Sequence, residues 1–141
     1  MKINLIEIKS IDDFDYIRKL RNKPYILSNS LGGKIVSKKD HEKWLKKNKT
    51  NKVYVLKNIK KNIGYIRIDK KNFVSWALEK KYWGKIKFPD NLKKSTSNEK
   101  IIYFCLILSD NLRSQIVALK AGFRLYKIKG RNIIFQKNNF K

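Results

Sequence analysis

The chain has 141 residues, 42% of them hydrophobic, with 35 Lys and Arg against 11 Asp and Glu and a net charge of +24; that is enough apolar material for one core, so a single domain over 1–141 is expected. The longest apolar run, Ile101 to Leu108, is too short for the ~20 residues of a membrane-spanning helix, and the N-terminus MKINLIEIKS carries no cleavable apolar leader, which points to a cytoplasmic protein. One Cys (Cys105) and one His (His41) exclude an internal disulfide and a Cys/His zinc site, and no metal is expected.

INLIEI (3 to 8) reads as a strand, and Ser10 caps a helix over Ile11 to Arg21, with Asp12, Asp13 and Asp15 near the positive end of its dipole. Residues 22 to 36, with Pro24, Gly32 and Gly33, read as irregular, and Ser37 opens a second helix carrying Asp40, His41, Trp44 and Leu45. VYVLK (53 to 57), IGYIRID (63 to 69) and FVSWALE (73 to 79) form an antiparallel meander. Pro89 begins a short helix ending near Ser97, and KIIYFCLIL (100 to 108) is apolar enough for a strand covered on both faces. Asp110 or Asn111 caps a helix that ends at Gly122, and FRLYKIK and NIIFQK flank Gly130-Arg131 as a closing hairpin. This is an α/β (α+β) order: a mixed central sheet of six to seven strands flanked by about four helices.

The charge has three readings: a solvated surface, a site for a small polyanion, and nucleic-acid binding. Lysines neutralising phosphates give sequence-independent nucleic-acid affinity, yet only six of the 35 basic residues are Arg and the lysines run along the whole chain. A solvated basic surface and a site for a small polyanion are therefore the leading readings.

Three stretches carry a family resemblance. Asn111-x-x-Ser114 followed by Ala121-Gly122-Phe123, behind an apolar strand, resembles the C-terminal half of the GCN5-related N-acetyltransferase superfamily. LRNKPYILSNS with VSKKDHEKWL resembles the branch that acetylates amino groups on nucleotide-linked sugars, and IGYIRID with VSWALEKKYWGK resembles the strands and loop before the acetyl-CoA pyrophosphate site. Together these cover most of the chain. The resemblance implies an acetyl-CoA-dependent N-acetyltransferase acting on a small amine acceptor, with a nucleotide sugar preferred. The alternative is a catalytically degenerate protein of the same fold that binds a nucleotide or RNA through its basic surface.

The resemblance also implies site residues. Leu78 and Glu79 would hold pantetheine through their backbone, and Gly84, Lys85, Ile86 and Lys87 would form the pyrophosphate loop. Asn111 and Ser114 would contact the cofactor, or serve only as helix cap and support. Ile86 and Phe88 stand where the family has glycines, so side chains there are expected to push phosphate from the backbone while Lys85 and Lys87 compensate with charge. Ala118 stands where many members carry the Tyr that protonates the leaving thiolate, and the helix at Pro89 looks truncated. On the acceptor side, His41 would orient or deprotonate the amine, or serve as a structural His. Arg21 and Asn22 would contact a nucleotide, although an Arg near a helix C-terminus also suits the dipole. Trp44 would stack on a base or sugar, or anchor the core. Ser75 and Trp76 face opposite ways in their strand, and Ser75 is the one expected to face the acceptor. Cys105 reads as a small buried hydrophobe.

Overall fold

The computed structural model describes residues 2–8, 10–28, 35–47 and 52–140. Its elements in chain order are β1 (Ile3–Glu7), α1 (Ile11–Arg21), α2 (Pro24–Leu27), α3 (Lys38–Lys47), β2 (Lys52–Asn58), β3 (Lys61–Ile68), β4 (Val74–Leu78), a 3₁₀ turn at Lys80–Tyr82, α4 (Phe88–Ser95), β5 (Ile102–Leu108), α5 (Leu112–Lys120), β6 (Arg124–Lys129) and β7 (Asn132–Asn138). Among the described residues seven strands divide between a four-stranded sheet ordered β1-β2-β3-β4 and a three-stranded sheet ordered β5-β7-β6. The chain forms two compact units, Met1–Lys70 with Trp76–Ile86 and Lys71–Ser75 with Lys87–Lys141.

In the first unit, β1, β2 and β3 pair antiparallel. Val53 and Val55 of β2 and Tyr65 of β3 meet Ile17 and Leu20 of α1, Ile8 and Ala77 in one buried cluster. The residues that alternate along each strand thus share a face with the apolar stripe of α1, so the helix lies on that face. Ser10 caps α1 by accepting the Asp13 N–H at 3.3 Å while its hydroxyl donates to Asp13 Oδ2 at 2.8 Å. Ser37 Oγ likewise accepts the Asp40 N–H at 3.1 Å at the start of α3. The stretch expected to be irregular contains a one-turn helix, α2, with Pro24 at its first position and Ile26 packed on the core. Proline at that position lacks only an N–H the helix could not use, and its fixed φ suits the turn. Asn29, Gly32 and Gly33 of that stretch lie outside the described residues.

In the second unit, β7 pairs antiparallel with both β5 and β6, and Phe73 makes a parallel bridge to Phe104, whose N–H donates to Asn72 O at 2.9 Å. Tyr103, Cys105 and Ile107 are buried, whereas Ile102, Phe104, Leu106 and Leu108 are half-buried. The expectation of β5 covered on both faces is therefore corrected: one face is fully buried and the other in part. Gly122 follows α5 at φ +101°, the left-handed conformation that closes a helix without a Cβ penalty, and Ala118, Ala121 and Phe123 around it are fully buried. The buried Lys137 donates from Nζ to Thr96 Oγ1 at 2.9 Å and Lys93 O at 3.2 Å. It thereby satisfies a carbonyl at the C-terminal end of α4 that the helix leaves without a partner.

Candidate functional site

The end of β4 gathers polar and aromatic groups of the first unit. Glu79 follows Leu78, and its N–H donates to Ile63 O of β3 at 2.9 Å while its carbonyl accepts the Tyr82 N–H at 2.9 Å. Its carboxylate accepts the Tyr16 hydroxyl of α1 at 3.2 Å. Burial, and then the Glu79 charge, push the Tyr16 phenol far above its usual range, so the phenol stays protonated and serves as donor. Trp83 donates its indole N–H to Leu78 O at 2.9 Å, and Tyr25 meets Trp83 edge to face with centroids 5.4 Å apart. Lys80 and Lys81 lie over the rings of Trp83 and Tyr82 at 5.9 and 5.2 Å. Of the Leu78 and Glu79 backbone implied to hold pantetheine, Leu78 O and the Glu79 N–H have partners inside the unit.

β3 approaches β4 closely here. A Cβ at Gly64 would stand 2.6 Å from Ala77 O and 3.1 Å from Leu78 Cδ1. Only glycine admits that approach, which makes Gly64 a positioning residue for the Leu78-Glu79 end of the strand.

Gly84 has φ +72°, and a Cβ placed on it would meet nothing within 4 Å, so this turn is open on its outer side. Lys85 is exposed with its N–H given to Tyr82 O at 3.1 Å, and Ile86 is half-buried. In the second unit Lys87 is exposed ahead of α4, and Phe88 is 4% exposed. The Phe88 ring is taken into the core of its own unit. Within the first unit the open turn at Gly84 is followed by one exposed lysine, Lys85, and no further glycine.

His41 is buried and stacks on Trp44 at 6.0 Å, and the Arg67 guanidinium lies 4.7 Å over the same indole. Burial, then the charges of Arg18 and Arg21, hold the His41 pKa below its usual value, so its neutral imidazole prevails at pH 7. Arg21, half-buried at the end of α1, is near enough for its charge to act on His41. Asn22 is spent elsewhere: its amide donates to Val36 O and accepts the Val36 N–H, both at 2.8 Å. That amide ties the end of α1 to the segment before α3.

Ser75, Asn111 and Ser114 belong to the second unit. Asn111 Oδ1 accepts the Ser114 N–H at 3.2 Å and caps α5; Asp110 instead pairs with Arg131 at 3.1 Å. Ser75 and Ser114 are half-buried. Cys105 is fully buried, and burial pushes its thiol up to about 12, which makes it inert at neutral pH. Among the described residues no three His, Cys, Asp or Glu side chains gather as metal ligands, and no helix is long and apolar enough to cross a membrane.

Two elements of this arrangement lie beyond the sequence reading. The resemblance singles out Glu79 for its backbone alone, although it is the only acid between Asp69 and Asp90 in a lysine-rich stretch, a signal open to inspection. Tyr16 and Arg67 carry no comparable signal, because their partners are remote in sequence.

No protein-family model matches the sequence and no curated protein sequence is similar to it. Solved structures are. A domain from Methanocaldococcus jannaschii DSM 2661 superposes with a TM-score of 0.85 at 18% identity, over 97% of this chain and 98% of that one. Spermidine N-acetyltransferase from Vibrio cholerae, in complex with CoA and spermine, matches with a TM-score of 0.77 at 15% identity over 95% and 92% of the two chains. An acetyltransferase of the GNAT family from Bacillus anthracis matches at 0.74 and 15% identity over 99% and 98%. At such identities the likeness shows the fold, which is that of the GCN5-related N-acetyltransferases.

Proposed function

We propose that this protein transfers an acetyl group from acetyl-CoA to an amine of a small acceptor, with Glu79 taking the proton the amine gives up. The observation that supports this most directly is the Tyr16–Glu79 hydrogen bond at the end of β4, which holds a carboxylate in place beside Tyr82 and Trp83. The fold, shared with structures whose own names include spermidine N-acetyltransferase, supports it independently.

When bound, acetyl-CoA supplies the acetyl thioester. Gly84, Lys85, Ile86 and Lys87 would hold its pyrophosphate, the lysines acting by charge in place of the missing glycines, and Asn111 and Ser114 are assigned to the same ligand on the resemblance. Glu79 accepts a proton from the amine as nitrogen bonds to the acetyl carbon, and it returns that proton to solvent. Tyr16, donating to one carboxylate oxygen, fixes the rotamer so that the other is directed to the amine. The fold-typical Tyr being Ala118, the departing thiolate takes its proton from water.

For the acceptor we favour an amino sugar linked to a nucleotide. His41, neutral and buried, orients the site, while Trp44 offers an apolar face and Arg21 a charge to the anionic part. Ser75 is assigned to the acceptor side as well. A cytoplasmic setting, where acetyl-CoA is made available, belongs to the same proposal.

The test is release of CoA thiol from acetyl-CoA in the presence of a nucleotide-linked amino sugar, spermidine, an aminoglycoside or a peptide N-terminus. Glu79→Gln is expected to lower kcat at least ~100-fold, the low end for a general base, and to leave KM for acetyl-CoA within a few-fold. Turnover unchanged in that variant removes Glu79 from the chemistry. No turnover with any amine, together with RNA binding that weakens steeply with salt, supports the polyanion-binding alternative.

A further inference from the structure

The second unit exposes an edge that the acetyl transfer does not use. Among the described residues β6 is bonded only to β7, and all six of its residues are exposed. Register sorts its side chains. Leu125 faces Phe135 and Ile128 faces Ile133, whereas Arg124, Lys127 and Lys129 face Gln136, Ile134 and Asn132, with a bulge at Tyr126 absorbing the extra residue. Directly paired residues share a face, so one face of the edge strand is apolar and the other carries its basic residues, with Tyr126 packed edge-on against Phe104 at 5.7 Å on that side.

α5 extends the apolar side. Its end lies over the face carrying Phe135 and Lys137, because a Cβ at Gly122 would stand 3.3 Å from Lys137 Cε. Arg124 Nη1 donates to Leu119 O at 3.0 Å and joins β6 to the helix. Leu112, Ile116 and Leu119, spaced at i, i+4 and i+7 along one stripe, are 45% to 65% exposed, and Leu125 and Ile128 are each 59% exposed. From Leu112 to Arg131 the chain carries six Lys and Arg and no acid.

We propose that this edge docks an extended segment of another protein in which apolar and acidic residues alternate. A strand added to β6 presents successive side chains to opposite faces. Its apolar residues then meet Leu125, Ile128 and the α5 stripe, and its carboxylates meet Lys127 and Lys129, Arg124 being held by Leu119 O and Phe123 O. A second copy of this chain is a poor occupant, since β6 against β6 brings its lysines and arginine together across the pairing. The aliphatic shelf also favours a polypeptide over RNA, whose bases are bound by aromatic and Arg stacking. Lysines on a free edge strand ordinarily block such pairing; here they select the charge of the partner.

The test uses the full chain and a fluorescent nine-residue peptide of alternating Val and Glu, with a control peptide of the same composition in two blocks and polyuridylate as a second probe, all at about 150 mM salt, where nonspecific attraction is screened. The alternating peptide is expected to bind at least ten-fold tighter than the block peptide and to slow hydrogen exchange at β6 amides. Lys127→Glu, at an exposed position and with its melting temperature checked, is expected to weaken it at least ten-fold. Equal binding of the two peptides, polyuridylate binding in their place, a dimer forming through β6 without peptide, or no effect of Lys127→Glu overturns the proposal.

Discussion

Gly64→Ala tests how tightly the fold positions Glu79. A Cβ built on Gly64 lies 2.6 Å from Ala77 O, about 0.8 Å short of the 3.4 Å where ordinary contact begins, and 3.3 Å from Leu78 Cα. The neighbours are backbone atoms of β4, so no side-chain rotation relieves the clash and the strand must move by roughly that 0.8 Å. Overpacking of this kind costs about 1–3 kcal/mol, and the reduced freedom of the unfolded chain returns about 0.4–1 kcal/mol. The net loss, about 1.3 kcal/mol at mid-range, lowers Tm by about 3–5 °C for a chain of this size. Ala77 is two residues before Glu79, whose own N–H is bonded to Ile63 in the same strand as Gly64. A displacement approaching 1 Å at the carboxylate lowers kcat/KM by about 100-fold. Differential scanning calorimetry and the CoA-release assay read the two effects separately. A Gly64→Ala variant with wild-type Tm and wild-type turnover would refute the close approach of β3 to β4.

Two further substitutions act elsewhere in the first unit. His41 has its pKa depressed by burial and by Arg18 and Arg21, so below about pH 6.5 the unfolded chain binds a proton that the folded chain resists; stability therefore falls as pH drops through that value. The fall in Tm between pH 7.5 and 5.5 should be smaller in His41→Gln, and an unchanged slope would contradict the burial of a neutral imidazole. Ile59, β-branched and 82% exposed, sits at φ 60° in the two-residue link between β2 and β3. Replacing it by Asn, which tolerates that conformation, should raise stability by about 1 kcal/mol in urea unfolding, and destabilisation would show that the strain assigned to Ile59 is absent.

What could be seen in the sequence was what is local. Ser10, Ser37 and Asn111 each bond an N–H three residues on, and Gly122 ends its helix within the same turn, so both ends of α5 follow from a few adjacent residues. The strands of the meander and the closing hairpin follow from alternation and turn chemistry in the same way. α2 escaped because four residues are too few to show a helical period, and because its Ile26 is held by a core assembled from distant strands. The side-chain pairings at the end of β4 were hidden. Tyr16 and Glu79 are 63 residues apart in sequence, and the need for glycine at position 64 arises only once β3 lies against β4. Trp83 reaching Leu78 O and Asn22 holding both backbone groups of Val36 are side-chain to backbone bonds. They give internal partners to the Leu78 carbonyl and to Asn22, two groups to which the resemblance assigns ligand contact.

The measurement that bears most directly on the acetyltransferase proposal is isothermal titration of the intact chain with acetyl-CoA at ordinary salt, beside free CoA and a nucleoside diphosphate. Lysines acting alone would bind all three by charge, so the discriminating quantity is the affinity beyond the diphosphate. The proposal predicts acetyl-CoA binding at least ten-fold tighter than the diphosphate and little weakened by moderate salt. Equal affinity for the two, falling together as salt rises, would contradict it.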